Sequence, residues 1–185
     1  NYNTEKVDLF INSGINIANF NASAFYMSTD YSVDRKFISP YIRSNFRYKL
    51  DKNKNFTTQN FNENLEDSNG RAIWALGYLM SLSSILPVEV VEKAKFAFDR
   101  SVFNIHKLHS TRAMAFVIKG VYYADLSNHN NRHCELIIEL ADRLLKMYQH
   151  ESDENWKWFE SYLTYGNSVI PEAMLCAYLS TGNPQ

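Results

Sequence analysis

What this chain has little of narrows the field first. Its two cysteines, Cys134 and Cys176, cannot build a disulfide framework. Both stand among apolar residues in predicted helices, so reduced, buried thiols are expected. No run approaches the roughly 18 consecutive apolar residues that a membrane-spanning helix needs. No sign of charge dominates: 19 Lys and Arg oppose 20 Asp and Glu, for a formal net charge of −1. That balance offers nucleic acid no basic footprint. GxGxxG, P-loop and CxxC motifs are all missing, which removes support for nucleotide, flavin and zinc-finger readings. His129 and His133 have a spacing that suits a metal on a helix, but they sit at a loop-helix junction with no further His or Cys cluster. They are read as exposed polar residues, and no metal or cofactor is expected. No secretory leader is legible at the start, which lacks Met, and a cytoplasmic location is the expectation.

What is present is ordinary globular composition with an aromatic surplus. Hydrophobic residues make up 45% and charged residues 21%, which argues against disorder. Length 185 is enough for one domain with a sizeable core. Aromatic residues reach 15%, rich for a helical protein.

Taken in order, residues 4–20 place Val7, Phe10, Ile11, Ile15 and Ala18 at helical spacing behind Thr4, an amphipathic helix. Residues 21–65 are irregular and rich in Asn, with a brief hairpin expected over 46–57. Asn21 and Asn55 head glycosylation sequons, a pattern short enough to arise by chance. From Ser68 the chain alternates. Residues 72–80, 113–118 and 173–179 are apolar around the whole circumference, which predicts helices buried on every side. Between them, 88–103 carries Val91, Phe98 and Val102 on one stripe. The next interval, 134–148, carries Ile137, Leu140, Ala141, Leu144 and Leu145. Both are amphipathic, with their charged residues facing away.

A weak repeat accompanies the alternation. Ser68, Ser110 and Ser168 are each expected to cap a buried helix, followed by a charged residue and then Ala at its head, and the first two recur about 40 residues apart, as in helix-hairpin arrays. The pattern predicts an all-α chain of αα-hairpins in two layers, an α/α toroid or part of one. Because the last buried helix lacks an amphipathic partner, the expectation is a single α/α domain that is a fragment or one domain of a longer chain, or a homo-oligomer.

In such a double layer the inner helix heads gather at one end. Glu66, Asp67, Arg71, His109, Arg112, Tyr165, Asn167 and Glu172 are expected near that mouth. Helix N-termini favour acidic side chains, so Glu66 and Asp67 have a plain structural reading beside a ligand-binding one. Arg71 and Arg112 read either as clamps between helix heads or as forks for hydroxyls. Trp156, Trp158, Phe159 and Tyr162 fit a short helix, and Trp156 and Trp158, two apart, cannot both face inward. Flat rings suit the C–H faces of sugars. Glu160 beside them is a candidate general acid or base, provided a second carboxylate stands opposite.

These residues also resemble a known family. Residues 66–77 (EDSNGRAIWALG), 110–113 (STRA) and 156–174 (WKWFESYLTYGNSVIPEAM) look like the helical domain that follows or accompanies bacterial glycosyltransferases. Its usual pattern is ED-S-x-GRA-x-WALG, a paired Arg-Ala, then W-x-WFE-x-x-LTYDNARLPEAL. The likeness spans roughly 64–185, and it implies a six-hairpin α/α toroid acting in carbohydrate metabolism. It further implies a carbohydrate ligand and a fused glycosyltransferase domain. Where the family commonly has Asp, this chain has Gly166, and Ser168 and Val169 replace Ala-Arg. The expectation is therefore a sugar-binding or weakened site. Trp74, Trp156, Trp158 and Tyr165 would line it, and Arg71, His109, Arg112, Asn167 and Glu172 would bond the ligand. The enzymatic alternative is a glycoside hydrolase or epimerase using Glu66 or Asp67 with Glu160. A third reading is a helical-repeat scaffold for a protein partner.

Overall fold

A computed structural model describes residues 51–53, 57, 58, 62, 64–127, 130–163 and 165–183. The helix expected over 4–20, the asparagines of both sequons, His129 and most of the expected hairpin lie outside the described residues. Among the described residues all regular structure is helical, as the alternation predicts. The order is α1 (Glu66–Ser81), α2 (Val88–Ser101), a 3₁₀ helix (Val102–Lys107), α3 (Thr111–Ser127), α4 (Asn131–Glu151) and α5 (Val169–Thr181).

α1, α3 and α5 form a row in which α3 touches both others. α2 lies against α1, and α4 against α3 and α5. Central position explains why α3 is buried on every side over 111–120, as its uniformly apolar sequence predicts. The same burial takes in Thr111, Arg112 and Lys119, polar residues that must then find partners.

α1 and α3 meet at backbone distance. A Cβ on Gly77 would stand 1.9 Å from the Gly120 carbonyl oxygen, and one on Gly120 would stand 2.6 Å from that of Ile73. Neither position leaves room for a side chain.

The outer helices follow their amphipathic patterns. α4 buries Leu136, Ile137, Leu140 and Leu144, each contributing about 1.5–3 kcal/mol of burial. It starts earlier than the apolar spacing predicts, because the Asn130 side chain accepts from the Arg132 N–H and caps the extra turn, and it runs on to Glu151. On α2 the buried stripe is Val90, Ala94, Ala97, Phe98 and Ser101. Of the predicted stripe only Phe98 is fully buried. Val102 belongs to the 3₁₀ helix, where the narrower turn shifts its direction.

Several expectations are corrected. α5 is not buried all round: Leu175, Tyr178 and Leu179 are 56%, 48% and 57% exposed. Tyr78 on α1 is also exposed. α1 and α5 each touch the row on one flank only among the described residues, so uniform apolarity does not enforce uniform burial. Ser68 is not a cap. It lies inside α1 and its hydroxyl donates to the Leu65 carbonyl. Ser168 occupies a cap position without a capping side-chain bond. Ser110 does cap, accepting from the Ala113 N–H at 3.3 Å.

The short helix expected around Trp156 to Tyr162 is replaced by bends. The Asp153 carboxylate accepts from the N–H groups of Asn155 and Trp156, both at 2.7 Å. The Ser152 hydroxyl donates to the Trp158 carbonyl at 3.1 Å. Short polar side chains thus compete with the helical ladder for the backbone, and here they win. The two cysteines are free thiols, Cys176 buried and Cys134 partly so. No helix among the described residues is long and apolar enough to cross a membrane.

Candidate functional site

The heads of α1 and α3 are tied by a carboxylate. Glu66 Oε2 accepts the backbone N–H groups of His109 at 2.8 Å and Ser110 at 2.7 Å. These donors lie at the start of α3, so the carboxylate also meets the positive end of that helix. One turn on, Asp67 pairs with Arg71 at 2.6 Å. The Arg71 guanidinium lies 5.3 Å from the Phe116 ring centre and 5.2 Å from that of Tyr165.

Arg112 organises the opposite wall. Its side chain is 10% exposed and paired with Glu160 at 2.7 Å. Its Nε donates to the Tyr165 carbonyl at 2.7 Å, and its second terminal nitrogen donates to Asn167 Oδ1 at 2.9 Å. Thr111 Oγ1 donates to the same Glu160 oxygen. Trp156 Nε1 donates to the Glu160 carbonyl at 2.7 Å. One planar guanidinium therefore holds three points of the segment between α4 and α5, a task its fork geometry suits. Gly166, at φ 64°, supplies the left-handed turn in that segment.

Tyr165 stands 57% exposed over this clamp, with Arg112 at 5.2 Å from its ring centre. Its phenol is pushed above the ordinary value by partial burial and by a hydrogen bond with Asp67, against the opposing pull of Arg71. Glu160 Oε2 and Trp158 Nε1 are buried polar atoms that lack a partner among the described residues.

A second tier lies further along the same face. Lys119, 2% exposed, pairs with Glu172 at 2.7 Å. Its ammonium sits 3.8 Å from the Trp74 ring centre, and Trp74 stacks on Phe116 at 5.5 Å. A cation buried this deeply needs both the carboxylate and the ring. Beyond it, burial and the charge of Glu172 push the Cys176 thiol up to about 11, with Lys119 opposing. Burial, followed by the neighbouring Cys176 and Glu172, raises the Tyr123 phenol too. Tyr123 meets Tyr78 edge to face at 5.2 Å.

The structure sorts the predicted site residues plainly. Asp67, Arg71, Arg112, Glu160, Tyr165 and Asn167 come together in one network. Trp74 and Glu172 join through Lys119 in the second tier. Glu66 and the His109 backbone lie at the α1–α3 junction, with the His109 side chain exposed. Trp156 and Trp158 are both half-buried, and Trp158 packs edge-on against Phe159. His133 corrects its reading as an exposed polar residue: its ring bonds Asp125 and packs against Phe98. Among the described residues no group of three His, Cys, Asp or Glu gathers as metal ligands would.

Sequence reasoning missed Thr111, Phe116, Lys119 and Tyr123. A signal for three of them was present. Asp67, Arg71, Trp74 and Tyr78 on α1 have the same four-three-four spacing as Arg112, Phe116, Lys119 and Tyr123 on α3. That spacing places each set on one helix face, and the two faces meet at Arg71–Phe116, Trp74–Lys119 and Tyr78–Tyr123.

No protein-family model, no curated protein and no solved structure matches this chain.

Proposed function

We propose that this chain is a carbohydrate-binding or carbohydrate-processing domain, built on an α/α toroid or part of one and belonging to a bacterial glycosyltransferase-associated protein. The observation that carries this reading is the continuous face along α1, α3 and the segment before α5. There exposed Tyr78 and Tyr165 alternate with hydrogen-bonding groups fixed by their own neighbours. Sugar rings present apolar C–H faces between hydroxyls, which suits rings flanked by oriented donors and acceptors.

Binding is favoured over glycoside hydrolysis or epimerisation by what the carboxylates already do. Glu66 is taken by two backbone N–H groups of the α3 head. A general acid must present its proton to the ligand, whereas Glu160 Oε1 bonds Arg112 and Thr111 and its Oε2 is buried. Asp67 is engaged by Arg71.

The test is titration with neutral and acidic mono- and oligosaccharides, followed by ligand-observed NMR. Tyr165→Ala and Arg71→Ala are expected to weaken binding about tenfold, each removing roughly 1.4 kcal/mol of contact. Absence of binding by the intact chain at millimolar sugar overturns the reading. One observation favours a second reading, a helical-repeat scaffold: the exposed apolar face of Leu175, Tyr178 and Leu179 on α5. Concentration-dependent association that Leu175→Glu and Leu179→Glu abolish would support it.

A further inference from the structure

Resting on the carbohydrate reading, we infer that this face takes an uncharged, hydroxyl-rich ligand and discriminates against uronates and sugar phosphates. Three cations stand on the face, and each is matched by a carboxylate of the chain: Arg71 with Asp67, Arg112 with Glu160, and Lys119 with Glu172. Arg112 also donates to the Tyr165 carbonyl and to Asn167. An acidic ligand gains a charge-assisted bond only by drawing a guanidinium or ammonium away from its carboxylate. The carboxylate left behind is then an unpaired charge in a half-buried setting, which is costly.

Exposure sharpens the bias. Lys119 is 2% exposed and its partner Glu172 48%; Arg112 is 10% exposed and Glu160 16%. Asp67 and Arg71 are balanced, at 32% and 30%. The cations are drawn in and the carboxylates stand further out. An approaching anion meets Glu172 before Lys119, and like charges repel across a surface only partly screened by water. A neutral hydroxyl bears no such cost, since it can donate to the half-exposed Glu172 carboxylate without drawing Lys119 away from it. Burial of Lys119 under Trp74 makes its charge structural, holding α3 to α5 through Glu172.

The intact chain should be titrated with neutral hexoses and their oligosaccharides, each beside its matched uronic acid and 6-phosphate, at low and high salt. Neutral ligands are expected to bind about tenfold or more tightly than their acidic counterparts, with affinity nearly unchanged by salt, because no net charge is neutralised. Glu172→Gln and Asp67→Asn each leave a cation without its carboxylate. Both are expected to gain acidic-sugar binding that falls as salt rises. Two such variants on different helices guard against one failing to fold. Acidic sugars binding the parent as tightly as neutral ones would overturn the inference and leave the carbohydrate reading standing. Binding of no sugar at all would sink that reading, and this inference with it.

Discussion

Removing the Arg112 guanidinium should unfasten the segment between α4 and α5 and cost more stability than any exposed charge on this protein. Arg112 is 10% exposed and donates to Glu160, to the Tyr165 carbonyl and to Asn167. Arg112→Ala leaves Glu160, 16% exposed, with only Thr111 as a described partner for its bonded oxygen. Breaking a buried pair by deleting one member costs about 3–5 kcal/mol. The low end applies, because solvent reaches both side chains slightly. At about 3 kcal/mol, a chain of this size should lose roughly 6–12 °C in Tm. Differential scanning calorimetry reads the loss. Limited proteolysis should show new cleavage between Ser152 and Ser168, since Arg112 bonds the Tyr165 carbonyl and Asn167 in that segment from α3. Arg112→Lys keeps the charge without the fork, so it should recover part of the Tm and little of the protease resistance. A cycle with Glu160→Ala should return a coupling of about 1–3 kcal/mol. Unchanged melting and an unchanged cleavage pattern in Arg112→Ala would refute the clamp.

Gly77→Ala should cost about 3 kcal/mol, the upper end for overpacking, because its new Cβ meets the Gly120 backbone oxygen at 1.9 Å and backbone cannot step aside; chemical denaturation measures it, and a neutral outcome would contradict the close approach of α1 and α3. Cys176 supplies a pH signature. Its folded thiol is raised from 9.0 to about 11, so its contribution to stability is complete below pH 9 and lost as pH rises towards 11. Comparing Tm of the parent and Cys176→Ala across that window should show a steeper decline in the parent, of order 2–3 kcal/mol. Leu175→Glu and Leu179→Glu, both more than half exposed, should leave the monomer's stability within about 0.5 kcal/mol, and a larger loss would mean that this face is covered.

Much of the architecture was legible without coordinates. Uniform apolarity over 113–118 and amphipathic spacing over 134–148 announced a buried central helix and an outer one, because a helix exposes or hides its circumference according to what neighbours it. The Arg and carboxylate heads were legible too, since charged residues beside helix caps are local signals. What the sequence could not assign was which partner each charge takes. Glu66 reaches the head of α3, and Arg112 grips a segment more than forty residues away in the chain. Those are long-range choices, made by packing around α3.

Two further outcomes escaped the apolar spacing, the first through local side-chain bonds and the second through tertiary packing. Trp156 to Tyr162 has helical spacing, yet Asp153 and Ser152 turn the backbone into bends. α5 is as apolar as α3, yet only α3 is enclosed on every side. Local composition determined that these helices form. Their neighbours decided which faces are buried, and so which charges pair within the chain.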